Sequence, residues 1–141
     1  MSSSVPKVAL HVEQLFIDAL TGEDVKVFFG YGEASEMVTI SMGSDFSREF
    51  KLLGPSPVPL EEKFNIEISV EVWKASGKDL KPAYVRCWDI FDLIEDAARG
   101  DHELDDMSFD ALLSKGDQEF FTVDKAQICR IRSTLAGTAR I

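Results

Sequence analysis

The chain has 141 residues, 45% of them hydrophobic and 28% charged. One domain of that size buries about two-thirds of its unfolded surface, which excludes whole-chain disorder and removes any need for a disulfide or metal to fold. The net charge of −10 opposes a grip on nucleic acid, which runs on Lys and Arg against phosphate, and it repels anionic membranes.

Residues 1–4 read as a flexible start to a single domain spanning 1–141. Residues 5–20 predict an amphipathic helix, because Val8, Val12, Leu15, Phe16 and Leu20 recur at three- and four-residue steps. Ser4 suits its N-cap, Pro6 its first turn and Gly22 its stop. Val25 to Phe29 is β-branched and aromatic, so it predicts a strand, broken by Gly30 and Gly32. Glu36–Met42 and Ser47–Leu53 predict two further strands. Residues 54–60, Gly-Pro-Ser-Pro-Val-Pro-Leu, predict a stiff extended loop, since each proline lacks a ladder donor.

The clearest strand follows. Phe64, Ile66, Ile68, Val70 and Val72 alternate with Asn65, Glu67, Ser69, Glu71 and Trp73, giving one apolar and one polar face. Residues 83–99 predict a second helix opened by Pro82 and closed by Gly100. Its inner face carries Tyr84, Cys87, Trp88, Phe91, Ile94 and Ala98. Asp101 to Asp106 form an acidic connector, 108–114 predict a short helical turn through Phe109, Leu112 and Leu113, and 116–118 a turn. Glu119–Val123 and Ala126–Leu135 are the last strands, with Gly137 opening a short tail. Strands grouped between helices predict an α+β fold: a mainly antiparallel sheet covered on one face by two helices.

Reactive groups form no recognisable catalytic or cofactor site. His11 has no second ligand at three or four residues, so it reads as a satisfied or exposed side chain. His102 lies among carboxylates whose spacing does not fit a calcium loop. Cys87 and Cys129 read as buried, inert thiols of a reducing compartment. The adjacent carboxylates of so acidic a chain read as solvated, and Gly30-Tyr31-Gly32 lacks the rest of a phosphate loop. The expectation is a protein that is no enzyme and holds no metal or cofactor. With no signal-like start and no long apolar run, it is expected to be made in the cytoplasm and to have no membrane partner.

Surface features point to partners instead. Val58 and Leu60 are apolar within the proline-rich loop, and Trp73 interrupts the polar face of the best strand. Arg130 and Arg132 share a strand face by period two, and Arg140 follows them. Either these arginines are an ordinary solvated face, or they meet an acidic face on another copy. Asp101, Glu103, Asp105 and Asp106 make up a candidate acidic face.

In layout the chain resembles the phage tail terminator, or tail-completion, family. Three stretches carry the resemblance: the first helix running through Gly22 into Val25–Phe29; Glu61-Glu62-Lys63-Phe64-Asn65-Ile66-Glu67-Ile68; and Ile94-Glu95-Asp96-Ala97-Ala98-Arg99-Gly100-Asp101 followed by Leu104. Asp105-Asp106, where the family often has glycines, and the short arginine-bearing C-terminus depart from it. The resemblance implies a ring, typically a hexamer, at the head-proximal end of a virion tail. Such a ring caps the tube, stops its polymerisation and joins it to the head. Its partners would be further copies, the major tail tube protein and a neck protein, with DNA passing unbound through a lumen for which the acidic face at Asp101, Glu103, Asp105 and Asp106 is the candidate lining. Another neck component, a tail-tube-like subunit or a small bacterial adaptor is the alternative.

Overall fold

The computed structural model describes the backbone of residues 5–53, 56–75, 77–101, 104 and 108–140, and the side chains of these except 42–61, 108–110, 112, 114 and 140. The elements run α1 (Val5–Ala19), β1 (Lys26–Phe29), β2 (Glu36–Leu53), β3 (Ser56–Lys74), α2 (Lys81–Gly100), β4 (Ser108–Val123) and β5 (Ala126–Arg140). The strands form one sheet in the order β1-β2-β3-β5-β4. All neighbours are antiparallel except β1 and β2, which are parallel.

The period-two pattern of β3 explains the layering. Phe64, Ile66, Ile68, Val70 and Val72 are buried and join Val38 and Ile40 of β2 and Cys129, Ile131 and Leu135 of β5 in one core. Both helices lie on that face. α1 contributes Val8, Ala9, Val12 and Phe16, and α2 contributes Ala83, Cys87, Ile90, Phe91, Ile94 and Ala98. Each fully buried Ile or Val is worth roughly 1.5–3 kcal/mol, so this shared stripe anchors the fold. The expected α+β arrangement of an antiparallel sheet under two helices is the one observed. Tyr84, expected on the inner face of α2, is instead 41% exposed.

Helix ends are tied locally. Asp79 Oδ1 accepts the Lys81 N–H at 3.1 Å, supplying a partner to the α2 N-terminus. At the other end the Asp101 N–H donates to the carbonyls of Ala97 and Ala98. The Asp101 carboxylate also meets His11 Nε2 at 2.6 Å, joining the end of α2 to α1. His11 is thus a satisfied side chain. Arg86 donates to Glu36 at 3.0 Å and to Glu23 at 3.2 Å, and Lys74 donates to Glu36 at 3.0 Å, bracing α2 against the start of β2. Burial works to raise the Glu36 pKa, but the hydrogen bonds from Lys74 and Arg86 outweigh it and hold the carboxyl below its ordinary value.

Five further sequence expectations are corrected. Glu36–Met42 and Ser47–Leu53 are not separate strands: β2 is continuous, with a register shift between Met42 and Phe46. The proline-rich segment is not a loop from 56 onward. Pro57 and Pro59 pair with Leu52 and Phe50 inside β3. They are accommodated because β5 begins its pairing only at Glu61, so the described chain leaves one side of residues 56–60 as an edge, where a missing N–H breaks no ladder. Leu60 is the extra residue of the shift by which Glu49 faces Glu61 while Phe50 faces Pro59.

Residues 108–114 are not helical, and 116–118 is not a turn, because both belong to β4. A register shift between Phe109 and Leu112 breaks the period of two, so the three-residue spacing that mimics a helix comes from a strand irregularity. Gly116 serves close backbone approach, since a Cβ there would lie 2.3 Å from the Arg132 carbonyl oxygen. The expected tail after Leu135 is strand as well, for β5 continues to Arg140.

Candidate functional site

The face of the sheet opposite the helices carries a cleft of about 710 Å³. Its position follows from the parallel β1–β2 pair. Parallel neighbours usually need a long crossover, but β1 has only four residues. Returning along it takes about 13 Å, which the extended segment 30–35 spans easily. That segment crosses back over the helix-free face and forms one wall of the cleft.

Backbone bonds pin both ends of the segment. The Gly30 N–H donates to the Ile40 carbonyl at 2.6 Å, and the Ser35 carbonyl accepts from the Trp73 N–H at 2.7 Å. Gly30 has φ +94°, a conformation that glycine adopts without strain. Gly32 sits against the Phe28 ring, where a Cβ would fall 2.1 Å from ring carbons. Tyr31 stands 84% exposed at the rim, and its hydroxyl donates to Glu33 at 2.9 Å. That bond to the Glu33 carboxylate raises the Tyr31 pKa.

The floor comes from alternate residues of three neighbouring strands: Met37 and Thr39 of β2, Ser69, Glu71 and Trp73 of β3, and Arg130 and Arg132 of β5. Glu71 is 5% exposed although it lies on the polar face of β3. Arg130 Nε donates to it at 2.8 Å and Trp73 Nε1 at 2.9 Å, so the buried carboxylate is paired twice. The Arg130 guanidinium also lies 5.0 Å over the Phe121 ring. Arg132 is bonded to Asp117 at 3.3 Å and to Glu119, both on β4. Charges therefore alternate across β3, β5 and β4.

The cleft brings together three residues singled out from sequence, Trp73, Arg130 and Arg132. Each is already engaged within the chain. Val58 and Leu60 lie on the far part of β3 and Arg140 pairs in register with Glu61, away from the cleft, with side chains outside the described residues. Asp101 closes α2 and is held by His11. Glu103, Asp105 and Asp106 lie outside the described residues. Sequence reasoning missed Glu71, Asp117, Glu119 and segment 30–35. The opposite charges at period two in the last three strands were the available signal for the carboxylates.

No cluster of three or more potential metal ligands occurs among the described residues, and no described helix is long and apolar enough to cross a membrane. The two thiols face each other in the core: Cys87 Sγ lies 3.5 Å from the Cys129 carbonyl, and burial pushes both pKa values up. The arrangement on the open face can recognise a surface through shape, one aromatic and fixed charges.

No family model and no curated protein matches the chain. Among solved structures it is similar to a chain of the virion of a native gene transfer agent (GTA) particle, with a TM-score of 0.57 and 15% identity, over 99% of this chain and 100% of that one. The two chains share a fold. The likeness spans both helices and the whole sheet, so it is the complete architecture, and not one motif, that the two share.

Proposed function

We propose that this chain is a structural subunit of a phage-type particle, placed in the tail or the head–tail neck. The likeness in fold to a chain of a gene transfer agent virion, end to end in both chains, carries this reading. Several features support it. The cleft on the open face of the sheet offers an aromatic ring and fixed charges, Trp73, Arg130 and Arg132, which suit recognition of a surface. The net charge of −10 suits a component that DNA slides past, because like charge keeps phosphate from sticking.

Within that class, the finer reading is a tail terminator. Copies form a ring on the last layer of the tail tube, stop further addition of the tube protein and present a surface to the neck. A neck component or tube-like subunit shares the mode of action and differs in what it touches. Deleting the gene and imaging the particles by electron microscopy separates these readings. Loss of the terminator leaves tails of uncontrolled length without heads. Loss of another neck component leaves tails of normal length unjoined to heads. Intact particles in normal yield would overturn the proposal.

A further inference from the structure

The chain has two cysteines, and the fold brings them together. Cys87 stands in α2 and Cys129 near the start of β5, 42 positions later. Both lie in the core between helix and sheet and have no exposed surface. The Cys87 thiol reaches the carbonyls of Val70 and Cys129, each at 3.5 Å. The two thiol side chains also hydrogen-bond to each other. A thiol in a core packs as a small apolar group. What sets an adjacent pair of thiols apart is that they can be joined.

Joining them strands no buried polar group. Val70 sits in the ladder between Val38 and Ile131, and Cys129 between Val72 and Phe120. Because S–H is a weak donor, the two carbonyls lose little when the thiol hydrogens leave. Closing the bond takes the sulfurs from hydrogen-bond contact to about 2 Å. Whether the fold absorbs that shift without strain is read in the stability of the oxidised form.

We propose that Cys87 and Cys129 form a redox-dependent staple between α2 and β5. It stays open in a reducing cytoplasm and closes when the protein meets a low-molecular-weight disulfide in an oxidising medium. One cysteine thiolate attacks that disulfide, forming a mixed disulfide and releasing one small thiol. The other cysteine thiolate attacks the protein sulfur of the mixed disulfide, forming the Cys87–Cys129 bond and releasing the second small thiol. The two cysteines give up two protons and two electrons, and the small disulfide takes them up as two thiols. Since the thiols of the folded protein are shut off from solvent, the first attack follows local opening of α2 from β5, and reclosure brings the second sulfur within reach. The closed loop holds the end of α2, all of β4 and the start of β5. The bond therefore removes freedom of the unfolded chain that helix–sheet packing otherwise restricts alone. The inference does not depend on the assembly reading above.

The full chain in a buffer of reduced and oxidised glutathione tests this. It is held near its urea midpoint until exchange reaches equilibrium, returned to native conditions and quenched with acid. The expected product is a monomer lighter by the two hydrogens lost, with a peptide that links Cys87 to Cys129. Freed of glutathione, it melts about 5–15 °C above the protein kept reduced with a phosphine. Cys87→Ala and Cys129→Ala, treated alike, form no such bond and show no upward shift. Should either variant fold poorly, the oxidised and reduced wild-type samples decide the matter by themselves. A protein that stays reduced, glutathione adducts on the separate cysteines, or disulfide-linked dimers would overturn the staple. So would an oxidised monomer that melts at or below the reduced protein, because its sulfurs would then be joined only by straining the core.

Discussion

Arg130 on β5 faces Glu71 on β3 directly across the ladder, with its Nε 2.8 Å from the carboxylate. Glu71 is 5% exposed while the arginine side chain keeps 33%. One partner has been taken out of water and the other has not, so the pair is unequal. Arg130→Met leaves a buried carboxylate with Trp73 as its remaining partner. About 2 kcal/mol of stability is expected to be lost, below the full cost of breaking a buried pair because Arg130 is partly solvated. Combining it with Glu71→Leu recovers most of that loss. Urea denaturation of the wild type, both single variants and the double variant reads the cycle.

Two glycines separate backbone packing from backbone flexibility. Gly116→Ala forces a Cβ to within 2.3 Å of the Arg132 carbonyl oxygen, an atom that moves only with the strand, and roughly 1–3 kcal/mol of destabilisation is expected. Gly100, at the end of α2, has open space where a Cβ would go. Gly100→Ala is expected to be neutral or to stabilise by a few tenths of a kcal/mol up to about 1 kcal/mol. Opposite shifts in melting temperature would show this, and a tolerated Gly116→Ala would contradict the observed register.

Acid sensitivity is expected to reside partly in Glu36. Its folded pKa is depressed, so the stability it contributes is complete above the ordinary value near 4.5 and is lost as pH falls through the lower folded value. Glu36→Gln is therefore less stable than the wild type at pH 7, and the difference shrinks as the solution is taken below about pH 4. Midpoints of chemical unfolding at several pH values measure it. A difference that stays constant with pH would mean that Lys74 and Arg86 do not act through the carboxylate charge.

The thiols of Cys87 and Cys129 are expected to be silent toward alkylating reagents in the folded protein. Burial raises the pKa of both, and Cys87 has no solvent-exposed surface. Labelling should follow the unfolding transition and not the pH of the folded state. Rapid labelling at pH 8 without denaturant would place the α2–β5 packing in error.

The element types were legible wherever one periodicity ran undisturbed. The step pattern of α1 and α2 and the alternation from Phe64 to Val72 identified the helices, the central strand and the core, because burying one face imposes those spacings locally. Residues 56–60 and 108–118 were misread for a shared reason. Prolines there looked like a loop, and Phe109, Leu112 and Leu113 like a helical turn, until pairing partners at 50–52 and 135–139 supplied an edge and a register shift that local spacing does not contain.

By itself the chain determined its class: an acidic α+β protein with one apolar sheet face under two amphipathic helices, since composition and hydrophobic period are local properties. Only the tertiary structure decided that segment 30–35 crosses the open face, and that Glu71 is buried against Arg130 and Trp73. Those outcomes depend on strand order and register, which join residues far apart in the chain and are set by the packing of the whole.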